Sequence, residues 1–250
     1  MTDSSSENQG STPPPYWNRS RRPLEMLAFL FPLVVIYELG LAFVLPEGDG
    51  GTGILAYVVL EQTFVALGLG AAGMALPGIL IIVALLVQQV LSRASWTLHL
   101  PTLLVMAVES LALTVPLLIF GAAVMTAAPS VVVAVVDEAS APDLASRLVL
   151  AVGAGLYEEL VFRWALIVVL HFVLADLLKV SARRATVIAV FVSSLIFMAA
   201  HFLGQPFDLR AAVFFFVAGI YFAAAFVVRG FGIAAGTHAL YDVVVELLAS

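Results

Sequence analysis

Two adjacent carboxylates and an arginine, Glu158, Glu159 and Arg163, interrupt a stretch that is otherwise apolar from about Leu148 to Leu178. A charged side chain at the centre of a bilayer costs about 2.5–3.5 kcal/mol on insertion scales, so three within six residues demand internal partners or a watered cavity. On a helix Glu159 and Arg163, four apart, share a face and can pair, while Glu158 points about 100° away. A lone Glu-Arg pair has a plain structural explanation, an ion pair snorkelling at a helix end. The leftover Glu158 does not. Two later segments offer it partners. In Phe197-Met198-Ala199-Ala200-His201 a histidine follows an aromatic by one turn, and in Thr237-His238-Ala239-Leu240-Tyr241-Asp242 a histidine and a carboxylate lie four apart on one face. Each intramembrane histidine alone reads as a helix-helix hydrogen-bonding residue. Together with Asp242 and Glu158 they form an inward-facing polar set suited to acid–base chemistry, since glutamate and imidazole can take a proton from water and imidazole can donate to a developing oxyanion.

The elements that must position these residues are membrane helices. Of 250 residues 62% are hydrophobic and 11% charged, and the mean hydropathy is +1.10; a soluble domain is about 25% charged. Apolar runs reach or approach the ~20 residues of a spanning helix, and strands of ~10 alternating residues are missing, which excludes an outer-membrane barrel. The expected fold is all-α: a polytopic bundle of about seven to eight spans around a polar intramembrane cavity. The absence of cysteine removes disulfides, thiolate metal sites and thiol nucleophiles. The net charge of -6 comes without the basic patch that nucleic acid requires.

Met1 to Pro23, rich in Ser, Pro and Asn, reads as a disordered cytoplasmic tail without a signal peptide. Residues 24–250 read as a single transmembrane domain, with no internal repeat. Expected spans are Leu27 to Leu45, Leu76 to Leu91, Pro101 to Thr126 with a kink permitted at Pro116, Ala185 to Leu203, Ala211 to Val228 and Gly232 to Leu248. Ile54 to Gly70 reads as interfacial or half-spanning. Val136 to Asp143 is an acidic loop whose Pro142-Asp143 can start the next helix. The thirty-five residues from Leu144 to Leu178 would reach about 52 Å as one helix, against a hydrocarbon core of about 30 Å. They are either two short segments meeting at the Glu-Glu-Arg cluster or one crossing that continues into an interfacial helix. A single crossing puts Lys179, Arg183 and Arg184 in the cytoplasm with Arg19, Arg21, Arg22, Arg93 and Arg229, leaving Arg147 and Arg210 outside and the N-terminus cytoplasmic.

Three motifs in order, Glu-Glu-x-x-x-Arg (Glu158, Glu159, Arg163), Phe-x-x-x-His (Phe197, His201) and His-x-x-x-Asp/Asn (His238, Asp242), resemble the CPBP family. These are the CAAX-protease and bacteriocin-processing intramembrane proteins, also called the abortive-infection or type II CAAX prenyl endopeptidase family. The resemblance covers roughly Leu144 to Ser250. It implies an eight-helix-like bundle with a conical cavity, in the plasma membrane of a bacterium or archaeon. It also implies an endopeptidase acting on membrane-associated substrates, either prenylated C-termini or leader peptides. Carried over, Glu158 and His201 would activate water, His238 would be an oxyanion donor with Asp242 as companion, and Glu159, Arg163 and Phe197 would order the site.

The departure is Asp242, where the family's prenyl-protein peptidases carry Asn. An ionised carboxylate repels an oxyanion, so Asp242 must be protonated or orient His238 instead. Glu158, His201, His238 and Asp242 would also be the ligands of a Zn²⁺ ion if one were held. His-Glu-x-x-His is missing and the glutamate mechanism needs no metal, so no catalytic metal and no cofactor are expected. Other classes keep a place: a non-catalytic immunity or scaffold protein of the same family, or a proton-coupled transporter, which the lack of inverted repeats disfavours. Glu38, Glu61 and Glu109 read as paired with Ser, Thr or backbone groups. His99, His171 and Asp176 read as water-facing, and Gly153 and Gly155 as sites of close helix approach.

Overall fold

The computed structural model describes residues 15–45, 55–66, 76–125, 143–203 and 205–250, and among them every regular element is a helix. In order these are α1 (Tyr16–Arg19), α2 (Pro23–Phe43), α3 (Leu55–Ala66), α4 (Leu76–Ser92), α5 (Leu100–Met125), a long helix over Leu144–Leu177, α8 (Ala182–Ala200), α9 (Leu209–Arg229) and α10 (Phe231–Ala249). The long helix is made of α6 (Leu144–Glu158), a π-helical segment (Glu159–Ala165), α7 (Leu166–His171) and a second π-helical segment (Phe172–Leu177). Among the described residues six helices are long and apolar enough to cross a bilayer. α4, with 17 residues, packs beside α2, so the protein is a polytopic helical bundle of the kind expected.

Local chemistry sets the boundaries. Pro23 opens α2 at a position where its missing N–H costs nothing. Asp143 caps α6 by accepting from the Ser146 N–H at 2.8 Å, which holds its carboxyl below the usual range. Asp208 caps α9 in the same way through Ala211. Lys179, at φ 56°, stops the long helix, and Gly230, at φ 91°, makes the sharp reversal between α9 and α10.

α10 is the axis. Every residue from Phe231 to Ala239 is buried, and the helix touches α2, α5, α6 and α9. Gly232, Ala234, Ala235, Gly236 and Ala239 keep that face small enough for the neighbouring backbones to approach, which is how membrane helices associate without a hydrophobic drive between them. Large apolar side chains such as Phe31, Leu104, Val169 and Phe191 point outward, where lipid would cover them. The core between α2, α4, α6 and α10 is built on Leu30, Tyr37, Ile81, Leu85 and Leu156.

Several expectations change. Of the two alternatives for the thirty-five-residue stretch, two meeting segments are not found: it is one continuous helix, as a single crossing requires, and it carries two π-helical segments that were not expected, the first beginning at Glu159. Residues 15–22, assigned by composition to a disordered tail, are ordered: Tyr16–Arg19 is helical and Ser20 is buried. Residues 1–14 and the acidic stretches around Glu47 and from Val136 to Pro142 lie outside the described residues, as do the side chain of Glu61 and residues 67–75. Glu109 is paired, though not with Ser, Thr or backbone: it accepts from Arg229 Nε at 2.5 Å and Nη2 at 2.8 Å, and from the Tyr16 hydroxyl. Burial and the Glu109 carboxylate push the Tyr16 phenol up to about 12, so it serves as a neutral donor. Glu38 accepts from the Tyr157 hydroxyl at 3.1 Å. His99 and Asp176 are exposed and His171 is half-buried.

Candidate active site

The site forms where α6 runs into its first π-helical segment, facing the end of α8 and the middle of α10. A π-helical turn shifts the register of all that follows and occurs frequently at functional positions. Here it is tied to α8 by Ser193, whose hydroxyl donates to the Phe162 carbonyl at 2.6 Å. Gly155 brings α6 against α10: a Cβ there would lie 2.3 Å from the Ala239 backbone nitrogen, so only glycine allows the two backbones this close. His238, one residue before Ala239, thereby faces Glu158 and Glu159.

The inner layer is Glu159 with Arg163, both with fully buried side chains. Arg163 Nη1 lies 3.2 Å from Glu159 Oε1 and Nη2 donates to the Gly219 carbonyl at 3.4 Å. The guanidinium sits 4.0 Å above the Phe197 ring, a cation–π contact between buried side chains. The same Glu159 Oε1 receives His238 Nδ1 at 2.8 Å. The pair that helical spacing gave for Glu159 and Arg163 is thus part of a triad with His238. Because the ionised Glu159 beside Arg163 can only accept, Nδ1 carries the proton and His238 turns Nε2 toward the cavity.

The outer layer is Glu158, His201, His238 and Asp242. Glu158 Oε2 stands 3.9 Å from His201 Nε2 and 3.9 Å from His238 Nε2, and Asp242 Oδ2 is 3.4 Å from His238 Nε2. His201 donates Nδ1–H to the Phe197 carbonyl at 2.8 Å, so its Nε2 also points inward. Distances of 3.9 Å are too long for direct hydrogen bonds and suit a bridging water. These side chains keep partial access, 12% exposed for Glu158, 24% for His201 and 26% for Asp242. They line a cavity of about 100 Å³ together with Phe197, Phe214, Phe215 and Phe222. A second cavity of about 240 Å³ shares Ala154 and Asp242 with the first and runs out past the Arg147–Glu246 ion pair.

All seven site residues expected from the sequence come together here. The aromatic walls of α9 did not emerge from it: Phe222 stacks on His238 with ring centroids 4.3 Å apart, and Phe215 stacks on His201 at 3.9 Å. Their spacing of seven places them on one face of α9, a signal present in the sequence but lost among its many phenylalanines. Nor did the sequence assign the Glu38–Tyr157 contact, one residue from Glu158. For zinc the donor types are suitable, but among the described residues no three of them converge as a metal-binding group, and each histidine has given Nδ1 to a protein acceptor.

Residues 140–244 match the family model described as type II CAAX prenyl endopeptidase Rce1-like. The match spans every residue of the site. No curated protein and no solved structure matches the chain significantly.

Proposed function

We propose that this protein hydrolyses a peptide bond of a membrane-associated substrate, a prenylated C-terminus or a leader peptide; the match of the site-bearing residues 140–244 to the type II CAAX prenyl endopeptidase Rce1-like model supports this reading. The observation that carries the reading is the meeting of Glu158 with the Nε2 atoms of His201 and His238, both at 3.9 Å, inside a cavity with a route to the surface.

In this reading a water bridges Glu158 and the two imidazoles. Glu158 takes its proton while the water oxygen bonds to the scissile carbonyl carbon and the C=O π pair moves onto oxygen. His201, held by the Phe197 carbonyl and by stacking on Phe215, positions the water. His238 has committed Nδ1–H to Glu159, so it donates from Nε2 to the oxyanion only as imidazolium; Glu158, Glu159 and Asp242 around it carry the compensating charge. Collapse of the tetrahedral species breaks the C–N bond, and the departing amine takes the proton from Glu158. Asp242 sits on the cavity side of His238, where its charge supports the imidazolium rather than touching the oxyanion. Glu159 is a positioning residue acting through His238.

No step requires a metal. Stoichiometric zinc in chelator-washed protein, lost in His238→Ala, would reverse that part of the reading. The test of the activity uses purified protein in detergent with quenched prenyl-peptide and leader-peptide substrates. Turnover should fall by about 10²–10⁴-fold in Glu158→Gln and in His201→Ala, the usual contribution of a positioned acid–base group. Turnover unaffected by either change would remove the protease assignment. Turnover absent in the parent protein, with a cellular phenotype that neither change affects, would favour an immunity or scaffold role.

A further inference from the structure

The contacts sort the bundle into two ends. At one end the start of α2, the end of α4, the α9–α10 reversal and α1 lie together: the Leu24 N–H donates to Gln89 Oε1 at 3.1 Å, and Arg229 Nη2 donates to Ser20 Oγ at 2.9 Å. The turn between the long helix and α8 belongs to this same end, since Ile167, Ala189 and Ala223, each six to ten residues from their helix ends, pack together. At the other end the start of α6 meets the end of α10 through Arg147 and Glu246, 3.4 Å apart, and His201 caps α8 next to the start of α9.

Basic residues divide unequally between the ends. Eight of the eleven stand at the first: three before α2, Arg93 after α4, Lys179 before α8 with Arg183 and Arg184 in its first turn, and Arg229 closing α9. Only Arg147 and Arg210 stand at the second, and Arg163 is inside the site. The described acids do not divide in this way, with Asp143, Asp208 and Glu246 at the second end and Glu25, Glu109 and Asp176 at the first, so the asymmetry lies in the basic residues. Lysine and arginine beside short loops set orientation in a membrane, with the richer side cytoplasmic. α2 and α4 run antiparallel, so α3 between them does not change this parity, whichever way it lies.

The site opens toward the poorer end. The outer cavity runs from Asp242 and Ala154 to Arg147 and Glu246, and His201 stands at the end of its helix on that side. We infer that the active site opens on the non-cytoplasmic face of the membrane. Its substrates are then peptide segments presented from outside, the membrane-proximal stretch of an exported or membrane-anchored protein, and not lipidated C-termini displayed in the cytoplasm. The substrate half of this inference rests on the proposed protease activity; the sidedness does not.

The chain has no cysteine, so single cysteines report sidedness without background. Gln205→Cys and Ser250→Cys mark the site end; Ser181→Cys and Thr97→Cys mark the arginine-rich end, and all four positions are exposed. With a membrane-impermeant maleimide, the first two should label in intact cells as fully as after permeabilisation, and the second two only after permeabilisation. The reverse pattern overturns the inference. In the same cells a single-span reporter carries the peptide that the purified protein cuts, either outside or inside the membrane. Glu158-dependent cleavage of the outside form alone supports the inference, and cleavage of the inside form alone overturns it while leaving the protease intact. Loss of all turnover, in detergent and in cells, with labelling as expected, removes the protease reading and the substrate class with it, and leaves the orientation standing.

Discussion

Glu158 and Glu159 are neighbours in sequence with opposite relations to stability. Glu159 is fully buried, yet it holds Arg163 at 3.2 Å and His238 at 2.8 Å. Its replacement by Gln keeps the volume and removes the charge that balances Arg163, and breaking a buried pair costs about 3–5 kcal/mol. We therefore expect Glu159→Gln to lower the thermal midpoint in detergent and to reduce kcat by at least about 10²-fold, because His238 loses the group that sets its tautomer. Glu158 has no direct hydrogen-bond partner within the site, so Glu158→Gln should lower turnover by about 10²–10⁴-fold while leaving the thermal midpoint unchanged or higher. Equal destabilisation by the two changes would contradict this division. Asp242 gives a milder test. Glu159 already fixes the His238 ring, so Asp242→Asn should retain kcat within about tenfold, a change of ~1.4 kcal/mol in the barrier, with no loss of stability.

At the level of elements, the close approach of α6 and α10 and the π-helical segment decide whether these side chains meet. Gly155 allows the approach, and an added methyl would strike the Ala239 backbone, which cannot rotate away. Gly155→Ala should cost about 1–3 kcal/mol by overpacking and should lower kcat beyond its effect on folding, by moving Glu158 away from His238. Thermal unfolding beside turnover per folded molecule separates the two effects. The glycine was legible in the sequence as a point of close approach, and the i,i+4 pairing of Glu159 with Arg163 followed from helical spacing alone. The π-helical segment was not, because its i→i+5 bonds depend on a neighbour: Ser193 of α8 supplies a donor to the Phe162 carbonyl. The aromatic faces of Phe215 and Phe222 escaped for a similar reason, since α9 carries four other aromatic residues and only packing selects the two that cover the histidines.

Across the whole molecule, α1 and the start of α2 are fastened to the end of α9 by Arg229, which bonds Glu109 and Ser20 and lies 3.7 Å from the Trp17 ring. Removing the cation leaves a carboxylate among apolar helices. Arg229→Met should therefore lower the thermal midpoint clearly, and the double change Arg229→Met with Glu109→Gln should recover part of the loss, as expected when the cost is an unpaired charge. Turnover per folded molecule should change little in the double variant, since this fastening lies at the end of the bundle away from Glu158. An additive double mutant would mean that the two residues act separately.

The sequence by itself determined what is written in composition and spacing: a helical membrane protein, the approximate spans, and the residues whose burial in hydrocarbon calls for an explanation. Charge in an apolar helix is costly wherever the helix packs, which is why Glu158, Glu159, Arg163, His201, His238 and Asp242 stood out before any neighbour was known. Only the tertiary structure decided which of them touch. That His238 completes a triad with Glu159 and Arg163, that Glu158 is left facing two imidazole nitrogens, that residues 15–22 are ordered against Arg229, and toward which end the cavity runs all depend on contacts between residues tens to hundreds of positions apart. Helical periodicity carries no record of those contacts.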